Sequence, residues 1–161
     1  PGERVLDIGC GTGRLLKDIR VPIHYVGLDI SPPYLAFAAK RFRGYGEFVA
    51  MSVDACAFRV TEHFDRAIAL GVLHHLNDKQ VIALLEFARE SLKPQGSFMS
   101  IDGCYGRNQS RVARFLLAHN RGKYVRSRGD YDHLIASVFP ERKAFYYGHL
   151  LRVPYDHIVF N

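Results

Sequence analysis

Residues 5–13, Val5-Leu6-Asp7-Ile8-Gly9-Cys10-Gly11-Thr12-Gly13, constrain this chain more than any other stretch. An apolar run ending in an acid reads as a buried parallel strand. Glycines two apart then let the backbone turn sharply and approach a ligand with no Cβ in the way. The residues that follow, Arg14-Leu15-Leu16-Lys17-Asp18-Ile19, predict a helix whose first amides face whatever the loop holds. Strand, glycine turn and helix together open a nucleotide-binding unit.

The spacing narrows the ligand. A dinucleotide fingerprint is G-x-G-x-x-G, with its third glycine where helix and strand pack closely. Arg14 stands at that position here, and Gly9, Gly11 and Gly13 give G-x-G-x-G instead. Asp7, two residues before the first glycine, would repel a pyrophosphate and suits a ligand carrying an ammonium group. Both observations disfavour a nicotinamide-dependent oxidoreductase. On this loop the sequence resembles the class I methyltransferases, which bind S-adenosylmethionine (SAM) and leave S-adenosylhomocysteine.

Further along, residues 23–29 (IHYVGLD) read as a second strand ending in an acid, and Ser31-Pro32-Pro33-Tyr34 starts a helix to about residue 41. Residues 47–53 predict a third strand and 64–70 a fourth. Residues 78–92 form an amphipathic helix with Val81, Leu84, Leu85 and Ala88 on one face, stopped by Lys93-Pro94-Gln95-Gly96. Residues 97–102 give a fifth strand, and 109–119 a helix with Val112, Phe115 and Leu116 toward a core. A helix over 130–138 and strands over 143–150 and 156–160 complete the chain. Alternating strands and helices imply right-handed βαβ units and a doubly wound parallel α/β sheet. The last two strands lack room for a crossover helix, so they pair antiparallel. The resemblance implies the same Rossmann-like architecture, with strand order 3-2-1-4-5-7-6 and strand 7 antiparallel.

At 161 residues, 48% apolar and 24% charged, the chain has the size and composition of one soluble globular domain spanning 1–161. Its entry into a strand almost at Pro1 suggests that an N-terminal capping segment precedes it. No apolar run approaches the roughly 20 residues of a membrane span. Cys10, Cys56 and Cys104 form no metal-ligand spacing and leave one thiol over in any disulfide scheme, so a reducing cytoplasm is expected and no metal. Residues 1–100 carry 12 Lys/Arg against 11 Asp/Glu, and residues 101–161 carry 10 against 5. Between residues 104 and 129 there are seven basic side chains and no acid, a stretch suited to an anionic partner or to a solvated face.

Asp29 lies 18 residues after Gly11 at the end of the second strand, where an acid accepts hydrogen bonds from ribose hydroxyls. The resemblance gives it that role in SAM, with Ile30 on the adenine and Asp54-Ala55 at the adenine amino group. It also places Gly9, Cys10, Gly11 and Gly13 against the cofactor, and Leu70 and Gly71 beneath its methionine part. Asp7, Asp29 and Asp54 thus end three successive strands along one sheet edge. Ser31-Pro32-Pro33-Tyr34 matches the signature of nucleic-acid amino-methyltransferases, but it follows the second strand rather than the fourth, and Ser at an N-cap with Pro in the first turn explains it. His74-His75 has no metal spacing. His75 is the candidate general base, and His74 reads as a packed residue.

A methyl sulfonium is already electrophilic, so the protein chiefly aligns an acceptor lone pair and excludes water. The basic stretch and its tyrosines favour a small anionic acceptor. RNA competes, because arginines with aromatics also suit a nucleic-acid backbone and bases. No appended RNA-binding module and no amino-methyltransferase signature after the fourth strand support it. A non-catalytic SAM-binding relative is the remaining alternative.

Overall fold

The parallel strands expected from the apolar runs form as β1 (Glu3–Ile8), β2 (Ile23–Asp29), β3 (Gly46–Ala50) and β4 (Phe64–Leu70). The computed structural model describes residues 2–52, 63–107, 109–148, 150 and 155–161. β1 pairs in parallel with β2, from Glu3 opposite Ile23 to Ile8 opposite Leu28, and with β4 on its other side; β3 pairs in parallel with β2. Strand order across the sheet is β3-β2-β1-β4-β5-β8-β7. With the two-residue strand β6 (Arg126–Ser127) set aside beside β5, that is the predicted 3-2-1-4-5-7-6 order.

The chain forms two compact units, residues 1–70 with 90–98 and residues 71–89 with 99–161. In the first, Leu6, Ile8, Tyr25, Leu28, Phe64, Ala67 and Ala69 build the core, together with Leu35 and Ala38 from α1 (Pro32–Arg41). In the second, α2 (Asp78–Ser91) buries the predicted face of Val81, Leu84, Leu85 and Ala88. An Asn77–Gln80 capping box starts that helix: the Gln80 amide donates to the Asn77 side chain and the Asn77 amide to Gln80 Oε1. β8 (His157–Phe160) runs antiparallel to the end of β5 (Leu92–Tyr105), from Ser100 opposite Phe160 to Gly103 opposite His157. β7 (Ala144–Tyr147) lies antiparallel beyond it.

Several local readings change. The helix expected over residues 14–19 is a single 3-10 turn, Arg14–Lys17. Pro22 disfavours helical backbone at Val21 and Ile23 begins β2, which bounds the segment without accounting for its end at Lys17. β5 takes in Lys93-Pro94-Gln95-Gly96 rather than beginning after it. α3 (Arg111–Ala118) buries Ala113 and Leu117, while Val112 and Phe115 are 57% and 60% exposed, so the predicted core face was rotated. α4 (Arg128–Ala136) starts two residues early because Ser127 and Asp130 form a capping box. Among the described residues no helix is long and apolar enough to cross a membrane.

Candidate functional site

The glycine loop leaves β1 with Gly9, Gly11 and Gly13 all at positive φ, 79°, 53° and 69°. Its geometry is set from β2: the Gly9 and Cys10 amides both donate to the Leu28 carbonyl, at 2.7 and 2.9 Å. The Gly11 amide donates to Asp29 Oδ2 at 2.8 Å, and the Ser31 amide to Oδ1 at 2.8 Å. Asp29 therefore ties the glycine loop to the start of α1. The Ser31 hydroxyl, expected to cap that helix, makes no capping bond. Each Asp29 oxygen keeps acceptor capacity beyond its one amide. A Cβ built on Gly11 would meet nothing within 4 Å among the described residues, so that face of the loop is open there. Ile30, beside Asp29, is 72% exposed, an apolar side chain presented rather than packed.

Asp7 is only 3% exposed and accepts from the Tyr25 hydroxyl at 2.6 Å. Burial pushes its carboxyl from 3.8 up to about 6, against the lowering effect of the Tyr25 hydrogen bond, and the nearby Asp29 charge adds to the rise. Asp7, the glycine loop, Asp29, Ile30 and Leu70 at the end of β4 all lie in the first unit. Gly71 opens the second, with φ +69° and its amide donating to the Ile101 carbonyl at 2.7 Å. Asp54 and Ala55 lie outside the described residues.

In the second unit the adjacent histidines part company. His75 is exposed and hydrogen-bonds no carboxylate among the described residues; desolvation and then the neighbouring His74 lower its pKa. His74 is buried, and its Nδ1 lies 2.6 Å from Oδ1 of Asp102, which also accepts from the His74 amide at 3.2 Å. Burial pushes the Asp102 carboxyl up, opposed by these hydrogen bonds. With the carboxylate as acceptor, Nδ1 is the donor and Nε2 carries the free lone pair. His74 is packed, as read from the sequence, and it is also the histidine with an orienting acid.

Two further residues hold this dyad. A Cβ at Gly122 would overlap the His74 ring, so the chain passes the imidazole only with glycine there. Arg126 is buried and donates to the Leu73, Leu76 and Tyr124 carbonyls and twice to Asp78 Oδ1, at 2.7–3.0 Å. It clamps the turn that carries His74. Neither role was read from the sequence. An acid inside the apolar strand β5 was the available signal for Asp102, and nothing local marked Arg126 among its basic neighbours. The same unit contains a cavity of about 930 Å³ lined by Arg107, Arg114 and Arg128 with Gln109, Ser127 and Asp156.

Comparison with known proteins places this arrangement. The model of a methyltransferase-domain family matches residues 6–98. Human probable tRNA methyltransferase 9B is 41% identical over 101 residues, covering 62% of this chain and 21% of its own length. Phosphoethanolamine N-methyltransferase 1 of Arabidopsis thaliana is 32% identical over 139 residues, covering 82% of this chain and 26% of its own. The chain thus spans about a quarter or less of these curated relatives. The fold of human N-acetylserotonin methyltransferase, solved in complex with SAM, superposes with a TM-score of 0.72 at 20% identity, over 98% of this chain and 47% of that one.

Proposed function

The chain belongs to the methyltransferase-domain family of class I SAM-dependent methyltransferases, and from that premise we propose that it transfers the methyl group of SAM to a small acceptor bearing an anionic group. Bound SAM supplies a sulfonium methyl that needs no further activation. The residues fit the cofactor: the open face of Gly11, the spare acceptor capacity of Asp29 and the exposed Ile30 meet the backbone-approach, ribose and adenine requirements. Asp29 binds the ribose hydroxyls, the glycine loop lets the cofactor approach the backbone, and Ile30 covers the adenine. Leu70 and Gly71 take the methionine end, and Asp54 with Ala55 the adenine amino group. Cys10 joins the loop through its backbone, and Asp7 sets the loop's charge from below.

On the acceptor side, His74 takes the proton at Nε2 while Asp102 holds the imidazole in the tautomer that leaves that nitrogen free. His75 is the alternative base. Such help matters for a hydroxyl or amine acceptor, which must lose a proton on methylation.

The observation that carries the acceptor class is the arginine-lined cavity, whose volume lies in the range of small-molecule sites. The likeness to the phosphoethanolamine enzyme, reaching 139 residues against 101 for the tRNA relative, supports the same reading. The test is transfer of labelled methyl from SAM to phosphate-monoester and carboxylate acceptors, with bulk tRNA alongside. Label in a small anionic acceptor is expected. Label in tRNA alone would replace this reading with RNA methylation, and SAM binding without transfer to either would make the chain a non-catalytic relative.

A further inference from the structure

Resting on the reading of a small anionic acceptor, we propose that Arg128 anchors an oxyanion subsite in the second unit: the acceptor's phosphate or carboxylate lies against the guanidinium, while a donor on the same molecule meets the Gln109 side-chain carbonyl.

Arg128 differs from the structural arginines of this chain. Arg126 spends its donors on three carbonyls and Asp78, Arg142 pairs with Asp132, and Arg66 with Glu3. Arg128, Arg107 and Arg114 enter no ion pair among the described residues. The Arg128 guanidinium lies over the Tyr146 ring, 4.1 Å from its centroid, and its Nε is buried with no hydrogen-bond partner among the described residues. Stacking holds the planar cation in place before a ligand arrives, with the Cys104 thiol as a weak side-chain partner, and a partly desolvated guanidinium whose Nε is unpaired among the described residues matches a two-oxygen anion. The cavity also meets the positive end of α4 through Ser127 and Arg128.

The opposite chemistry is present too, and it selects the ligand. Gln109 donates Nε2 to the Cys104 carbonyl at 3.2 Å, which leaves its Oε1 buried without a partner. Asp156 Oδ2 and Arg128 Nη2 lie 3.3 and 3.2 Å from where a Gly106 Cβ would stand. A bare polyanion would be repelled by Asp156. A molecule carrying one oxyanion and a nearby hydroxyl or ammonium satisfies both walls.

The test is calorimetric titration of the full chain with inorganic phosphate, acetate and glycerol 3-phosphate, each in the presence of SAM. Glycerol 3-phosphate should bind more tightly than phosphate or acetate. Arg128→Gln should weaken it at least about tenfold and Arg128→Lys also measurably, since lysine keeps the charge but loses the planar fork. Gln109→Leu should weaken glycerol 3-phosphate and spare phosphate. Arg43→Gln, an exposed arginine of the first unit, should change nothing. Equal binding by Arg128→Gln and wild type, an equal loss in Arg43→Gln, or no binding of any probe overturns the subsite. Labelled-methyl assays separate the two layers. Transfer to a small anion that Arg128→Gln leaves unaltered refutes the subsite alone, whereas Arg128-dependent probe binding with label only in tRNA refutes the acceptor reading and leaves an oxyanion site.

Discussion

Replacing Asp7 by Asn should stabilise the protein, because the loop's acid is kept ionised at a cost. Its carboxyl is 3% exposed and titrates at about 6 against 3.8 when unburied, desolvation outweighing the hydrogen bond from Tyr25. The folded state therefore holds this proton more tightly than the unfolded state, and stability falls as pH rises from about 4 through 6. About two pKa units at roughly 1.4 kcal/mol each make this loss about 3 kcal/mol, complete by pH 7 to 8. Asn keeps an oxygen for the Tyr25 hydroxyl and cannot ionise. Asp7→Asn should thus exceed wild type at pH 8 by on the order of 1–3 kcal/mol and match it near pH 4. Urea denaturation from pH 4 to 8 reads the difference, a midpoint shift of about 1 M at a slope of about 2 kcal/mol/M. Titrating groups that do not act on Asp7, Asp102 among them, contribute equally to both proteins and cancel in the difference. A difference curve flat across this range, or a variant less stable at pH 8, would refute the burial argument.

Other outcomes follow from the same geometry. Gly11→Ala meets no atom of the described residues within 4 Å, so it should cost only about 1–2 kcal/mol for a side chain at positive φ while SAM affinity by calorimetry collapses; retained affinity would make the loop merely a turn. His74→Gln should lower kcat by about 10²–10⁴-fold with KM for SAM unchanged, and Asp102→Asn should lower it in the same direction. A fall confined to His75→Gln would return the base to the neighbouring residue. Arg126→Gln removes the clamp on residues 73–76 and should cost about 3 kcal/mol by urea denaturation, a charged hydrogen-bond set being worth roughly 1.5–3 per bond before solvent screening at exposed Asp78; a loss under about 1 kcal/mol would show that the turn holds itself.

The geometry of the candidate donor loop was legible because its signals are local. Gly9, Gly11 and Gly13 need positive φ, and Asp29 must end a strand to reach the Gly11 amide, so both show as spacing. The same periodicity gave β1, β2, β4 and the buried face of α2. What escaped depends on partners distant in sequence. Asp102 chooses His74 over His75 across 28 residues, and Arg126 reaches back 53 to Leu73. α3 was turned the wrong way because its apolar residues occupy more of its circumference than it buries: Ala113 and Leu117 face inward, and Phe115, the largest, does not. The helix over 14–19 is a 3-10 turn of four residues, Arg14–Lys17, and its local sequence does not mark that early stop.

SAM binding as proposed depends most directly on Asp29. Its two oxygens fix the glycine loop and the start of α1 through the Gly11 and Ser31 amides, and their remaining capacity is what the ribose requires. Calorimetric titration of SAM into wild type and Asp29→Ala, each shown folded by denaturation, measures that role. One-to-one binding to wild type is expected, with a loss of about 1–3 kcal/mol in the variant, roughly fivefold to 150-fold in affinity. Equal affinity in the two folded proteins would contradict that role.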